Sequence, residues 1–279
     1  GELLAADGPY RGQSLDELCS QLGSRLLGSW SRTSDQGFPL LTKWLDCRDW
    51  LSLQVHPDDA VAQRIHGNPN ERGKSEAWLF FEVEPQAEVI HGWCEGRPDP
   101  EQLAQLQGED WLATVRRFRP QGGSWVNTPP GTIHALGPGL LVFEVQQSSD
   151  LTYRVYDWGR MGLDGNPRPL HLDEARQAIS LSGVEPKVQT PTDLLGQLEI
   201  LNPFFCVETI SGPTQWSPQG HSVELLTALE SEVRIRSAGQ DWVLAPGTTL
   251  VVPAQAADLR CDSPEGHRWL RVRLAPGRN

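Results

Sequence analysis

The sequence predicts an all-β fold, mainly strands with short helices, on three observations. Its 279 residues include 27 Gly and 22 Pro, a density of turn formers that many short strands require. Apolar or alternating runs of strand length recur, among them AWLFFEV (77–83) and LLVFEVQQ (140–147). The turn-then-strand pattern of GTIHAL (131–136) returns in GTTLVVPA (247–254), so the strands divide into two barrel-like or jelly-roll units. A chain this long buries a core well beyond what marginal stability requires.

In order along the chain, SLDELCSQLGSRLL (14–27) spaces apolar side chains for a short helix behind a capping Ser14. LLTKWLDCRDWLSLQV (40–55) gives two strands around the polar corner at Cys47-Arg48-Asp49, with His56 at a strand end. DDAVAQRIHG (58–67) is helix-like, and the NPNERG that follows (68–73) is a loop expected to be mobile. Strands return at 77–83 and 87–92, and PEQLAQLQGEDWLATVRRF (100–118) has helical spacing, a helical insertion at about 98–118. WVNT, LLVFEVQQ and LTYRVYDW are further strands. The expected organisation is therefore a first domain over 1–159, a Pro/Gly-rich linker over 160–197 with one short helix at 173–179, and a second β-rich domain over 198–279.

Composition excludes several functions. A formal charge of −12 disfavours nucleic-acid and anionic-membrane partners, which need clustered Lys and Arg; any anionic substrate must meet local cations. Five cysteines, odd in number, widely spaced and never in C-x-x-C, indicate neither a disulfide framework nor a cysteine zinc site and fit a reducing cytoplasm. No apolar run approaches the roughly 18 residues of a membrane span, and residues 1–14 lack a signal-peptide layout.

The strongest local signal is Gly123, five residues, Pro129, one residue, Gly131, two residues, His134. This spacing reproduces the second motif of cupin barrels, apart from Pro138 where Asn is usual. Pro129 and Gly131 form a tight turn that delivers His134 to an inward-facing strand. Gln54 and His56, two residues apart on a strand, share a face and can converge on the same ion. Glu76 supplies the carboxylate. Together the four make a mixed N/O set suited to one zinc ion per chain, with positions open for water or substrate. Singly, each is more often a hydrogen-bonded residue; the joint occurrence carries the metal reading. His66, His91, His171, His221 and His267 default to structural or surface roles, and Trp78 and Trp125, flanking the ligand strands, are core or pocket wall.

The segments FPLLTKWLDCRDWLSLQVHPDD, GKSEAW, PPGTIHALGPGLLVFEVQQSSD and LTYRVYDWGR resemble, in order, the type I mannose-6-phosphate isomerases in their short bacterial form. The resemblance covers roughly 38–158. It implies a zinc-bearing cupin in the cytoplasm that interconverts mannose 6-phosphate and fructose 6-phosphate, as a monomer or homodimer. It maps the family's metal ligands onto Gln54, His56, Glu76 and His134. It also maps a catalytic arginine onto Arg154, a lysine near substrate onto Lys74, an acidic pocket residue onto Glu144, and a serine in phosphate contact onto Ser52. The family's usual opening strand has no counterpart here, and the helical domain of larger members is reduced to about residues 98–118.

Aldose–ketose interconversion moves a proton between C1 and C2 through an enediol. A metal would polarise the carbonyl, Glu144 is the natural base, and Arg154, which stays protonated, the natural clamp; Lys74 orients hydroxyls or meets the phosphate. Without catalysis, Lys74 would be a solvated loop residue and Arg154 an outer-face partner of Asp150 or Asp157. Two other functions compete: a cupin oxygenase with a two-His, one-carboxylate iron site, and a non-catalytic sugar-phosphate-binding cupin. Gln54 in place of a first His favours the isomerase over the former, and the full set of matched residues favours it over the latter.

Overall fold

A computed structural model describes residues 4–30, 37–95, 98–162, 164–181, 188–189 and 199–275. The chain forms two compact units, residues 41–194 and residues 1–40 with 195–279. By contact, then, the opening helical segment groups with the carboxy-terminal strands, whereas the sequence reading placed it with the first barrel.

That segment contains α1 (Leu15–Leu22) and α2 (Ser24–Leu27). Ser14 and Glu17 cap α1 reciprocally, each side chain taking the other's backbone N–H. Gly23, at φ +53°, breaks what the spacing predicts as one helix. Gly28 is irreplaceable for a different reason: at φ +82° a Cβ would stand 2.4 Å from the backbone of His221. That close approach lets Leu26 O and Leu27 O accept from Ala254 N (2.9 Å) and Val223 N (3.0 Å), burying both leucines.

The unit over 41–194 comprises β1 (Leu40–Cys47), β2 (Leu53–Val55), α3 (Asp59–His66), β3 (Glu76–Val83), β4 (Val89–Trp93), α4 (Pro100–Gln105), β5 (Val115–Phe118), β6 (Trp125–Thr128), β7 (His134–Leu136), β8 (Leu140–Gln147), β9 (Tyr153–Tyr156), α5 (Leu172–Ala178) and β10 (Val188–Gln189). Its strands pair antiparallel in two sheets, ordered β1-β8-β3-β6-β10 and β5-β4-β7-β2-β9. The predicted helical insertion is shorter than expected: a 3-10 turn at Gly108–Ala113 follows α4, and 115–118 are a strand paired with β4. Trp111 and Val115 satisfy a helical period and are both buried, but the open edge of β4 offers backbone partners that a longer helix would leave unmet.

Strand alternation decides what the site contains. One face of β2, β7 and β9 sends Leu53, Val55, Ala135, Tyr153 and Val155 into a cluster with Leu172 and Ala175 of α5. Gln54, His134 and Arg154 therefore point the other way, between the sheets. There, Trp78, Phe80, Val89, Val126, Leu136 and Val142 form an apolar core, and Glu76 and Glu144 continue the same alternating rows of β3 and β8 beyond its edge. Trp78 and Trp125 are both 1% exposed; Trp78 belongs to this core and its ring meets that of His134 edge-on at 5.3 Å.

The other unit adds β11 (Glu199–Leu201), β12 (Phe205–Ser211), β13 (Thr214–Trp216), β14 (Glu224–Ala228), β15 (Val233–Ser237), β16 (Gln240–Leu244), β17 (Thr249–Val252), β18 (Leu259–Asp262) and β19 (Arg268–Leu274). They form the antiparallel sheets β11-β12-β19-β14-β17 and β13-β18-β15-β16, around Leu226, Ile235, Leu259, Cys261 and Trp269. The repeated turn grammar is real: Thr132 N donates to Pro129 O and Thr248 N to Ala245 O, with Gly131 and Gly247 both at φ +81°. No helix among the described residues is long and apolar enough to cross a membrane.

Candidate metal centre

Three separate turns bring the ligand candidates together. The first ends β2, where His56 O accepts from Gly131 N at 2.8 Å. The second is the Pro129–Thr132 turn itself, held from outside because Ser180 N, just past α5, donates to Gly131 O at 2.9 Å. A Cβ at Gly131 would lie 2.9 Å from Ser180 Cβ, on top of its φ of +81°.

The third turn is the end of the loop expected to be mobile, and it is pinned instead. Gly73 N donates to Asp59 Oδ1 at 2.9 Å, Lys74 N to Pro57 O at 2.9 Å, and Ser75 N to Gln147 Oε1 at 2.8 Å. Ser149 Oγ donates to Arg72 O at 2.9 Å. Only glycine fits at 73, since a Cβ would sit 2.4 Å from the carbonyl carbon of Asp58. Lys74 and Glu76 thus enter β3 from a fixed point.

His56, Glu76 and His134, each no more than 2% exposed, place one ligand atom apiece within 4.8 Å of one another. His56 Nε2 is 3.5 Å from Glu76 Oε2, and His134 Nε2 is 3.2 Å from Glu76 Oε1. Gln54 joins them with its Nε2 at 3.5 Å from His56 Nε2 and 3.2 Å from His134 Nε2. Ligands at zinc-type bond lengths around a tetrahedral ion are separated by about 3.3 Å; the cluster is close to that scale, with His56 and His134 each meeting a different Glu76 oxygen.

The hydrogen bonding fits a cation as well. His56 Nδ1 faces Leu151 O at 2.7 Å and His134 Nδ1 faces Thr132 O at 2.9 Å, so each Nδ1 carries the proton and each Nε2 presents a lone pair inward. Burial pushes the His134 imidazole down to about 3, and burial with the Lys74 ammonium lowers His56, so both rings are neutral near pH 7. Burial alone would raise Glu76, but the Lys74 ammonium, 3.1 Å away, holds its carboxyl well below the usual carboxylate range. The Lys74 ammonium meets Glu76 Oε2 at 3.1 Å outside hydrogen-bond geometry. Two lone pairs facing a buried carboxylate are reconciled by a positive ion between them. The Gln54 amide presents its nitrogen to this cluster while Oε1 accepts from Ser52 Oγ at 2.9 Å; a half-turn of the amide would present oxygen at equal volume.

Beside the cluster lies a cavity of about 210 Å³ lined by Lys43, Leu45, Leu51, Ser52, Gln54, Lys74, Glu144, Thr152, Arg154, Arg160 and Arg168. Gln54 is common to both. The cavity therefore brings together Ser52, Lys74, Glu144 and Arg154, with Arg154 opposite Gln54 in the ladder of β2 and β9. Burial, then the nearby Glu76 charge, raises the Glu144 carboxyl despite Lys74 and Lys43, which moves it toward the range useful for proton transfer. Burial, together with Arg168 and Arg160, lowers the Arg154 guanidinium.

Sequence reasoning missed Lys43, Arg160 and Arg168. Lys43 Nζ donates to Glu144 Oε1 at 3.1 Å and to Gln146 Oε1 at 2.5 Å. The two arginines lie in the stretch read as linker. Asp157 pairs with them rather than with Arg154.

A family model described as phosphomannose isomerase type I, catalytic domain, matches residues 4–77. A mannose-6-phosphate isomerase of Streptococcus mutans is 36% identical over 260 residues, 91% of this chain and 79% of that protein. The Bacillus subtilis mannose-6-phosphate isomerase ManA is 33% identical over 260 residues, 91% and 80% of the two chains. Among solved structures, that of a mannose 6-phosphate isomerase from Bacillus subtilis aligns with a TM-score of 0.80 at 29% identity, covering 98% of this chain and 85% of that one.

Proposed function

Because this chain belongs to the type I phosphomannose isomerases, we propose that it interconverts mannose 6-phosphate and fructose 6-phosphate through an enediol, with one zinc ion held by His56, Glu76, His134 and, after an amide flip, Gln54. One observation carries the reading: a buried cluster of three potential metal ligands within 4.8 Å of one another adjoins, through Gln54, a cavity lined by five cations and Glu144. Bound there, the metal supplies Lewis-acid polarisation of the substrate carbonyl. Glu144, buried and raised, takes and returns the proton between C1 and C2. Arg154 holds the charge that develops on the substrate oxygens, because a guanidinium stays protonated even where burial lowers it. Lys74 keeps Glu76 ionised and faces the sugar hydroxyls, and Ser52 both orients Gln54 and meets substrate. Five free cysteines suit a reducing cytoplasm.

The test is conversion of mannose 6-phosphate to fructose 6-phosphate by the protein as purified, after chelation, and after zinc is added back. Activity lost on chelation and restored by zinc is expected. No conversion under any loading condition overturns the reading, and tight fructose 6-phosphate binding without turnover would favour a binding protein.

A further inference from the structure

Behind the cavity wall a single carboxylate grips two of its arginines. Asp157 follows β9 directly, its side chain is 7% exposed, and it is not among the residues that line the cavity. Arg160 Nη2 donates to its Oδ1 at 2.6 Å, Arg168 Nε donates to Oδ2 at 2.7 Å, and Arg168 Nη2 donates to Oδ1. Both carboxylate oxygens are thereby engaged.

Arg168 reaches this position because the chain doubles back. Met161 and Pro167 form an antiparallel bridge, Gly162 N donates to Asn166 O at 2.6 Å, and Arg160 N donates to Asp157 O at 2.9 Å. Arg154, Arg160 and Arg168 then share one cavity wall, and the Nε atoms of Arg154 and Arg160 are buried without a hydrogen-bond partner. Guanidiniums gathered this closely repel one another unless a fixed anion lies among them. What they leave open is a multidentate site for a planar or tetrahedral dianion.

We propose that Asp157 is the positioning residue that ties Arg160 and Arg168 into one fork for a phosphate dianion, with Arg168 itself a phosphate-binding residue. The proposal rests on the isomerase reading for the identity of the sugar, and on the cavity geometry for the anion. Charge and positioning make opposite demands on Asp157. Removing an anion from beside two arginines strengthens phosphate binding if only charge matters; it weakens binding if the carboxylate holds the fork in shape.

The experiment compares wild type, Asp157→Asn, Asp157→Glu and Arg168→Gln in the metal-loaded protein, reading KM and kcat for fructose 6-phosphate and the Kd of inorganic phosphate by calorimetry. Asp157→Asn is expected to raise KM and the phosphate Kd at least about tenfold while kcat stays within about threefold, with most of the loss recovered in Asp157→Glu. Arg168→Gln should raise both constants similarly, and the double variant should add little. Unchanged or tighter phosphate binding in Asp157→Asn overturns the proposal. Should that variant fail to fold, unchanged constants in Arg168→Gln overturn it instead. Wild type that binds phosphate through Asp157 yet never isomerises fructose 6-phosphate sinks the isomerase reading and leaves this one standing.

Discussion

Replacing Gly73 by alanine touches no candidate ligand, yet it should disable the site. The new methyl would sit 2.4 Å from Asp58 C, 2.6 Å from Asp59 N and 2.6 Å from Pro57 O, all backbone atoms at the start of α3 that cannot swing aside. Carbon contacts need about 3.5 Å, so the loop must retreat by roughly 1 Å. That retreat breaks the bonds from Gly73 N to Asp59 Oδ1 and from Lys74 N to Pro57 O, and it displaces Lys74 and Glu76. Overpacking costs about 1–3 kcal/mol, partly offset by about 0.4–1 kcal/mol from the stiffer unfolded chain. The net of about 0–2.6 kcal/mol lowers Tm by no more than roughly 10 °C, while a 1 Å misplacement at the chemistry lowers kcat/KM on the order of 100-fold. Steady-state kinetics, metal content and a melting curve check all three; Gly73→Ala with full metal and kcat/KM within about threefold of wild type would refute the claim that this glycine fixes Glu76.

Arg154→Ala should retain metal and lose at least about 100-fold in kcat/KM; turnover within about threefold of wild type would show that its guanidinium does not act on the substrate. In the carboxy-terminal unit, burial raises the Glu224 carboxyl despite Arg271 and the Trp216 indole N–H, 2.8 Å from its Oε2. A folded pKa above the unfolded one stabilises below the usual carboxylate range and loses that stability as pH rises through the folded value. Glu224→Gln, which still accepts from Trp216, should therefore raise Tm at pH 7 and lose its advantage by about pH 4; equal Tm differences at the two pH values would contradict this.

How much of the site could be read from sequence depended on how local its encoding is. His134 was legible because Pro129 and Gly131 determine the turn that aims it, within six residues. Gln54 and His56 followed from the two-residue period of a strand, and the structure places Gln54 beside His134 and His56 beside Glu76. Lys43 was missed although it obeys the same period, because a lone strand lysine has no local mark of facing Glu144, 101 residues away. Arg160 and Arg168 were missed for a different reason. Their place depends on a bridge between Met161 and Pro167, in a stretch whose Gly and Pro content reads only as linker. The insertion failed at Val115–Phe118, where tertiary pairing with β4 overrode a helical period.

The charges around the cavity account for why so acidic a chain concentrates cations here. Lys43, Lys74, Arg154, Arg160 and Arg168 line it, against Glu144, Glu76 and Asp157. Each carboxylate is matched to a cation within 3.1 Å, Lys43 on Glu144, Lys74 on Glu76 and Arg160 on Asp157. The three carboxylates leave the cavity with an excess of positive charge on Arg154 and on Arg168, which shares Asp157 with Arg160, and a bound divalent ion would add to it. A hexose phosphate near neutral pH carries close to two negative charges, so substrate, rather than another side chain, meets that excess. An unphosphorylated hexose would leave those guanidiniums unmatched in a partly desolvated cavity, and the preference for phosphorylated sugar follows from the cost of that mismatch more than from any contact to the sugar ring.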